Sequence, residues 1–230
     1  RLPRFFQFQM GSWVSAPDSS ANHVVQAENT EEDSLYFGWQ KDGEGKPFKQ
    51  AKVVLMGKTG AGKTSLLTRI VSKKFVDQDA TIAAAFLEKT FEIEEDVVKL
   101  QLWDAAGEER YHSLSPMYYR GANVAIIVSD ITGHDPISEF TTWLAELKRN
   151  TEKNRLVYLV GSKLDLEASR TLSFESIQSF AEENDLTYVE TSAKDDLYVK
   201  ELFTRIAHEA SGRIYPTRSA AKSARKIVTE

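Results

Sequence analysis

A glycine-rich loop restricts the fold of this chain more than any other stretch of the sequence. Residues 57–64 read Gly-Lys-Thr-Gly-Ala-Gly-Lys-Thr, the spacing G-x-x-x-x-G-K-[ST], and they directly follow the apolar run 52–56. A strand that leads through such a turn into a helix aims several backbone N–H groups at one point, where a polyphosphate can bind. Lys63 is expected to reach the β- and γ-phosphates, and Thr64 to ligate Mg²⁺. The loop therefore predicts a nucleoside triphosphate site.

The composition excludes several classes of protein. The 230 residues are 41% hydrophobic and 27% charged, which is typical of a globular domain with tails. A net charge of −5 argues against a general nucleic-acid-binding protein. The sequence contains no Cys, which excludes disulfides, thiolate metal sites and thiol catalysis. No apolar run approaches the ~18 residues of a membrane-spanning helix, so membrane association is expected to be peripheral.

The pattern along the chain predicts an arm, one domain and a tail. Residues 1–48 are rich in Ser, Asn, Glu and Gly and are predicted to be a flexible arm. Within the arm, residues 1–9 precede the first Met and are set aside as vector-derived or upstream sequence. Residues 49–213 alternate between strand-like and helix-like runs, and 214–230 are predicted to be a flexible basic tail.

The alternating runs predict an α/β fold of the P-loop type. Strand-like runs are 52–56, 86–93, 97–103, 123–129, 156–160 and 187–189, and helix-like runs are 63–72, 136–149, 174–183 and 197–210. Two of the strands flank Glu94-Glu95-Asp96 closely enough to form a hairpin, which gives one antiparallel edge strand. The others need helical crossovers, so we expect a mostly parallel six-stranded sheet with helices on both faces. Such a sheet binds ligand at the carboxyl ends of its strands.

Residues that follow three of these strands extend the predicted site. Asp104 directly follows the strand-like run 97–103, opposite the phosphate loop, where an acid that holds Mg²⁺ through its bound water belongs, although an Asp that caps the next helix is the alternative. Gly107 leaves room for a backbone N–H beside a γ-phosphate. Asp165 in Gly161-Ser-Lys-Leu-Asp165 can accept the two adjacent N–H donors of guanine, which adenine lacks; a turn Asp is the alternative. Residues 190–194, Glu-Thr-Ser-Ala-Lys, can place backbone N–H groups against the guanine carbonyl.

Two longer runs add a family resemblance. Residues 81–87 read Thr-Ile-Ala-Ala-Ala-Phe-Leu, and residues 103–121 begin Trp-Asp-Ala-Ala-Gly-Glu-Glu-Arg and end Met-Tyr-Tyr-Arg-Gly. With the loop at 57–64, the stretch from about 50 to 213 resembles a Ras-superfamily small GTPase of the Rab family, and is most similar to the early-endosomal Rab-five subgroup. The resemblance implies GTP or GDP and Mg²⁺ as cofactors, a monomer, and partners that are Rab effectors, an exchange factor and a GTPase activator.

The resemblance also implies roles for individual residues. Lys63, Gly107 and Glu108 would take part in hydrolysis, and Thr64, Thr81 and Asp104 would hold Mg²⁺. Phe75 would stack on guanine. Phe86, Trp103 and Tyr118 match an aromatic triad that reads effectors, with core packing as the alternative. The implied nucleotide-binding residues are Thr59, Gly60, Ala61, Gly62, Lys63, Thr64, Ser65, Phe75, Thr81, Gly107, Ser162, Lys163, Asp165, Ser192, Ala193 and Lys194.

Several residues depart from the family pattern. Glu108 stands where the family has a Gln that orients the attacking water, and its negative charge beside an anionic transition state predicts slow hydrolysis. Ser162 replaces an Asn, and the shorter hydroxyl predicts weaker nucleotide retention by on the order of 1–3 kcal/mol. Ala83 replaces a Gly and is expected to restrict the first switch. Ala105 replaces a Thr, and Lys58 adds a positive charge to the phosphate loop.

The membrane signal is a short motif. Residues 10–15 read Met-Gly-Ser-Trp-Val-Ser, matching M-G-x-x-x-[ST], which predicts N-myristoylation of Gly11 if Met10 is the initiator; a vector-derived Met-Gly is the alternative. The sequence has no Cys for the prenyl anchor usual in Rab proteins. Because one myristoyl chain binds membranes only marginally, the basic tail is a candidate second attachment to anionic lipid, with a solvated tail as the alternative.

These expectations lead to one main hypothesis and two rivals. The main hypothesis is a GTP-binding and GTP-hydrolysing switch of endosomal vesicle traffic, peripheral on the cytosolic face of endosomal membranes. The first rival is a hydrolysis-impaired scaffold of the same fold that binds GTP, suggested by Glu108 and Ser162. The second rival is an ATP-using P-loop enzyme, which competition between GTP and ATP would decide.

Overall fold

Strands and helices alternate along the chain in the computed structural model, which describes residues 40–76, 85–104, 120–150 and 155–212. The strands are β1 (Gln40–Lys41), β2 (Pro47–Met56), β3 (Ala85–Ile93), β4 (Asp96–Asp104), β5 (Val124–Asp130), β6 (Leu156–Ser162) and β7 (Thr187–Glu190). The helices are α1 (Lys63–Ser72), α2 (Pro136–Asn150), a 3-10 helix (Leu164–Ser169), α3 (Phe174–Glu183) and α4 (Val199–Ala210). Every predicted strand and helix is therefore present, with small shifts at the ends.

The strands form a mixed sheet with the order β3-β4-β2-β5-β6-β7. β2 pairs in parallel with β4 and β5, and the parallel pairing continues through β6 to β7. β3 and β4 are antiparallel, with Ile93 opposite Asp96 across the predicted hairpin turn. The predicted α/β fold with one antiparallel edge pair is confirmed.

A short hairpin extends the sheet beyond the prediction. β1 pairs antiparallel with Pro47 and Phe48, so β2 begins five residues before the predicted strand 52–56, within the segment assigned to the arm. The Asp42 carboxylate closes the turn by accepting from the N–H groups of Glu44 at 2.9 Å and Lys46 at 2.8 Å. The Phe48 ring is buried, with the Lys99 ammonium 4.0 Å from its centre. This side-chain docking is a tertiary contact that apolar periodicity does not predict.

Helices cover both faces of the sheet. Alternate residues of the central strands point to opposite sides, so Val53 packs in one cluster and Val54 in the other. Side chains of α1 and α4 fill the first cluster, and those of α2 and α3 fill the second. Because both faces are buried, the central strands are almost continuously apolar. Among the described residues, no helix is long and apolar enough to cross a membrane.

The topology places the predicted site residues at one edge of the sheet. The parallel strands β2, β4, β6 and β7 end at Met56, Asp104, Ser162 and Glu190, and the segments singled out in the sequence start there. Since parallel strands point the same way, their carboxyl ends share an edge. The phosphate loop and the two predicted base-reading segments therefore belong to one site.

Candidate functional site

The glycine-rich loop between β2 and α1 takes a conformation that needs its glycines. Gly57 has φ 141°, and a Cβ there would lie 2.2 Å from the Val128 carbonyl oxygen of β5. Gly60 and Gly62 have φ 79° and 88°, in the left-handed region that glycine adopts without strain. Gly62 is the N-cap of α1 and makes no side-chain cap, and the N–H groups at the N-terminus of a helix can bind an anion.

Lys63 is folded back over its own loop. Its side chain is buried, and its ammonium donates to the carbonyl oxygens of Gly57 at 2.8 Å and Lys58 at 2.9 Å. Burial lowers the pKa of the Lys63 ammonium, and the Asp104 carboxylate opposes that shift. An ammonium carries three N–H donors, so this arrangement holds a positive charge at the loop with capacity for an anionic ligand.

The Thr64 hydroxyl and the buried Asp104 carboxylate form an oxygen pair beside Lys63. The Thr64 hydroxyl donates to Asp104 Oδ2 at 2.5 Å, and Asp104 is only 1% exposed. Asp104 Oδ1 is buried without a hydrogen-bond partner among the described residues, and burial raises the pKa of this carboxyl. An unsatisfied buried carboxylate oxygen is costly. A hydroxyl and a carboxylate are also the hard oxygen donors that Mg²⁺ prefers, so these residues fit that ion. The alternative that Asp104 caps a helix concerns 105–110, outside the described residues.

The two predicted base-reading segments are joined to each other. Ser192, which is fully buried, donates its hydroxyl to Asp165 Oδ1 at 2.6 Å. Backbone bonds from Leu164 N–H to the Thr191 carbonyl and from Thr191 N–H to the Gly161 carbonyl connect the same segments. The Asp165 carboxylate is thereby oriented by a residue of the other segment.

Lys163 has the left-handed conformation, with φ 62°, at the turn out of β6. Its ammonium lies 2.7 Å from Asp130 Oδ2 at the end of β5. Burial works to raise the pKa of Asp130, but the Lys163 ammonium and the Thr132 N–H and hydroxyl outweigh it and hold the pKa below its ordinary value. Lys163 therefore braces the base-reading segment against the neighbouring strand.

Ser162 links the predicted base-reading segment 161–165 to the phosphate loop. Its hydroxyl is 2.7 Å from the Ala61 carbonyl oxygen and 3.2 Å from that of Ser129. A hydroxyl has one proton to donate, and the shorter distance assigns it to Ala61. The Ser side chain thus makes a bond to the loop, and weaker nucleotide retention at this position remains a prediction.

An ionic cluster that the sequence did not predict supports the same segments. The Arg170 guanidinium donates to both carboxylate oxygens of Glu190, at 2.9 and 2.7 Å, and also pairs with Glu167. The Tyr188 hydroxyl donates to Glu190 at 2.6 Å, and burial raises the pKa of Tyr188. Because Glu190 begins the segment 190–194, the cluster anchors that segment to the 3-10 helix after β6. Nothing in the spacing of Arg170 and Glu190, which are 20 residues apart, indicates that they pair.

The comparison with known proteins decides the family. The sequence profile of the Ras family matches residues 52–212. This chain belongs to the Ras family. Ras-related protein RABF2b from Arabidopsis thaliana is 46% identical to it over 168 residues, which cover 73% of this chain and 84% of that protein. The resemblance to Rab proteins is thus confirmed, and membership of the Ras family implies binding of guanine nucleotide and Mg²⁺.

Two members of the predicted aromatic triad lie within the described part of this Ras-family chain. Phe86 and Trp103 are opposite each other on β3 and β4, with ring centroids 5.0 Å apart. The Lys52 ammonium lies 4.8 Å from the Trp103 ring. Phe86 is 39% exposed, whereas Trp103 is half-buried and packs on the second core cluster. Core packing, the alternative to an effector-binding role, therefore fits Trp103 better than it fits Phe86.

The remaining residues predicted for this Ras-family chain include an exposed aromatic residue and several that lie outside the described residues. Phe75 follows α1 and is 41% exposed, as a residue that stacks on a ligand can be. Of the residues named from the sequence, eight lie outside the described residues: Met10, Gly11, Thr81, Ala83, Ala105, Gly107, Glu108 and Tyr118.

Lys58 in the phosphate loop is paired with α2. Its ammonium is 2.8 Å from Glu139 Oε1, and the Ser129 hydroxyl donates to Glu139 Oε2 at 2.8 Å. The Lys58 side chain is 64% exposed and that of Glu139 13% exposed. The positive charge of Lys58, which departs from the family pattern, is therefore partly balanced by Glu139. Through Glu139 the phosphate loop is attached to α2 and to the end of β5.

Exchanging the charges of this pair is expected to show that it braces the loop. Lys58→Glu and Glu139→Lys alone should each speed GDP release about two- to fivefold, because the pair is partly exposed and worth ~0.2–1 kcal/mol. The double variant Lys58→Glu/Glu139→Lys should recover most of the loss. Stopped-flow release of a fluorescent GDP measures the rates. The exposed Lys46→Glu is the control. If the change in release rate for the double variant equals the product of the two single changes, Lys58 and Glu139 do not interact.

Proposed function

We propose that this Ras-family chain is a GTP-hydrolysing switch of endosomal vesicle traffic that cycles between GTP-bound and GDP-bound forms. The observation that carries the proposal is the grouping of buried Lys63 and Asp104 with the Thr64 hydroxyl at the start of α1. The segment 161–165 is joined to the same loop by the bond from the Ser162 hydroxyl to the Ala61 carbonyl. A relative whose name is that of a Rab protein supports a role in vesicle traffic.

The phosphates would bind at the N-terminus of α1. Its N–H groups and the Lys63 ammonium would neutralise the β- and γ-phosphates. Thr64, Thr81 and Asp104 would hold Mg²⁺, which when bound stabilises the charge that develops during phosphoryl transfer. Thr64 would contribute its hydroxyl oxygen and Asp104 its carboxylate, the kinds of oxygen donor that Mg²⁺ prefers.

The base would bind between the segments that follow β6 and β7. Asp165 would accept from the two adjacent N–H donors of guanine, and backbone N–H groups of Ser192, Ala193 and Lys194 would meet its carbonyl. Phe75 would stack on the ring. Titration of GTP against ATP tests this assignment and the rival ATP-using enzyme together, because tighter binding of ATP would contradict the role of Asp165.

Switching would depend on Thr81 and on residues 104–120. A γ-phosphate with Mg²⁺ orders such segments in nucleotide switches, and hydrolysis releases them. Phe86 and Trp103 adjoin this region at the ends of β3 and β4 and would take part in effector binding with Tyr118. The exchange factor and the GTPase activator would act on the same segments.

Glu108 is expected to limit hydrolysis. A carboxylate accepts a hydrogen bond from the attacking water but cannot donate one as an amide does, and it repels the anionic transition state. Glu108→Gln should therefore raise the single-turnover rate of phosphate release about tenfold or more. The matched control is Glu95→Gln in the exposed turn between β3 and β4, which should leave the rate unchanged.

The same assay decides between the switch and the hydrolysis-impaired scaffold that Glu108 and Ser162 suggest. Phosphate release above background over several turnovers supports the switch. No phosphate release above background, either from the protein alone or with an activator present, supports the scaffold. Equal rates for the parent chain and Glu108→Gln would show that the charge of Glu108 is not the limit.

Membrane attachment is proposed through the arm. N-myristoylation at Gly11, with electrostatic attraction between the basic tail and anionic lipid, would hold the protein on the cytosolic face of endosomal membranes. The intact mass of the protein from its own host tests this directly. A myristoyl group on Gly11 supports the proposal, and an unmodified chain that begins elsewhere refutes it.

A further inference from the structure

An arginine on α1 joins the phosphate-binding helix to the base-reading loop. Arg69 Nε donates to the Ala193 carbonyl at 2.6 Å, and Nη2 donates to the Lys194 carbonyl at 2.9 Å. Nη1 donates to the carbonyl of Lys73 at the end of α1 at 3.0 Å, and Asp196 Oδ1 lies 3.9 Å from Nε. The Arg69 side chain is only 12% exposed. Its guanidinium is thus bound mainly to main-chain carbonyls of another segment.

These bonds fix the direction of the loop's N–H groups. In a trans peptide the C=O of one residue and the N–H of the next point in opposite directions, and no described peptide bond is cis. With its C=O on Arg69, the peptide after Lys194 directs the Asp195 N–H away from Arg69. That N–H donates to Ser192 Oγ at 3.0 Å. The Ser192 hydroxyl in turn donates to Asp165. The side of the loop opposite Arg69 is therefore the side on which Asp165 lies.

The preceding peptide follows the same rule. The Ala193 C=O is held on Arg69, so the Lys194 N–H points away from Arg69, toward the side of Asp165. We propose that Arg69 is a positioning residue that aims the Lys194 N–H at the 6-carbonyl oxygen of guanine. This inference rests on the proposed recognition of guanine by Asp165 and the 192–194 backbone.

The position of Arg69 along α1 adds a second consequence. Arg69 lies six residues after Lys63, which corresponds to roughly 9 Å along a helix. One rigid helix thus carries the phosphate-binding residues at its start and holds the base-reading loop near its end. Arg69 sets the spacing between the two ends of the nucleotide site.

The test compares two nucleotides that differ only at the carbonyl oxygen. GDP has the 6-carbonyl, whereas 6-thioguanosine diphosphate keeps the N1–H and the 2-amino group and carries sulfur, a much weaker acceptor, in place of that oxygen. Arg69→Met should weaken GDP binding about tenfold, in line with a misaligned hydrogen bond in a site built for it. It should weaken binding of the 6-thioguanosine nucleotide less than twofold. Equilibrium titration of the full chain with Mg²⁺ measures both affinities.

Two further variants make the outcome decisive. Arg69→Lys keeps the charge but replaces the planar guanidinium fork with a single ammonium, and its GDP affinity should lie between those of the parent and Arg69→Met. Arg205→Met is the control, because Arg205 is also mostly buried and pairs with Glu209 away from the site. It should lower thermal stability without changing the ratio of the two affinities.

Each result has one meaning. A loss confined to GDP, partly recovered in Arg69→Lys, supports the positioning role. An equal loss for both nucleotides, or no loss for either, overturns it while leaving guanine recognition intact. A parent chain that binds GDP no better than ADP overturns the proposed recognition of guanine itself, and this inference with it.

Discussion

Lys63→Met is expected to abolish high-affinity nucleotide binding. The Lys63 ammonium is the buried positive charge at the start of α1 and is held in place by two carbonyls of its own loop. Two charge-assisted bonds to phosphate contribute ~1.5–3 kcal/mol each, so their loss should reduce GDP affinity by roughly two to four orders of magnitude. The Met side chain keeps the length and the apolar stem, which confines the change to the charge and its donors.

The measurement is calorimetric titration of nucleotide-free protein with GDP in the presence of Mg²⁺. Lys52→Met serves as the matched control, because the Lys52 ammonium donates to the Arg120 carbonyl at 2.8 Å and lies outside the phosphate loop. That variant should bind GDP as the parent does. A Lys63→Met protein that binds GDP within threefold of the parent would contradict the assignment of the phosphate site.

Asp165→Asn is expected to reverse the preference between bases. Guanine presents two adjacent donors that a carboxylate accepts, whereas xanthine presents one donor and one carbonyl oxygen. The Asn amide, with one acceptor and one donor group, matches xanthine. A site that leaves buried polar groups unmatched rejects the wrong ligand by about 10⁴–10⁵, so GDP affinity should fall by several orders of magnitude. Affinity for xanthosine diphosphate should rise above that for GDP.

Competition of the two diphosphates against a fluorescent nucleotide measures this reversal. The amide oxygen of the variant can still accept the Ser192 hydroxyl, so the loop contact is expected to survive. Asp185→Asn is the control, since Asp185 lies in a turn after α3 and has the left-handed conformation that Asn tolerates. If Asp165→Asn keeps the guanine preference of the parent, Asp165 does not read the base.

Local chemistry explains why the main elements could be predicted from the sequence. The start of α1 follows Gly62, whose left-handed conformation ends the loop, and α3 follows Ser173, whose hydroxyl accepts the Ser176 N–H at 3.2 Å. The hairpin between β3 and β4 follows from two apolar-alternating runs separated by a short polar turn. In each case the signal lies within a few neighbouring residues.

The contacts that build the site could not be predicted in the same way. Arg69 reaches Ala193 across 124 residues of sequence, Ser162 reaches Ala61 across 101, and Lys58 reaches Glu139 across 81. A helical Arg or a loop Lys is ordinarily a solvated side chain, and its partner is decided only when the strands come together. Sequence motifs predicted the residues that would face the ligand, and the fold shows contacts that hold several of them in place.

Nucleotide preference tests the central claim most directly. Purified chain stripped of nucleotide and supplied with Mg²⁺ should bind GTP and GDP at least a thousandfold more tightly than ATP and ADP, as expected for a site that matches the guanine donors. Removal of Mg²⁺ by a chelator should speed GDP release, because the ion that Thr64 and Asp104 would hold no longer offsets the phosphate charge. Equal affinities for guanine and adenine nucleotides would contradict the account.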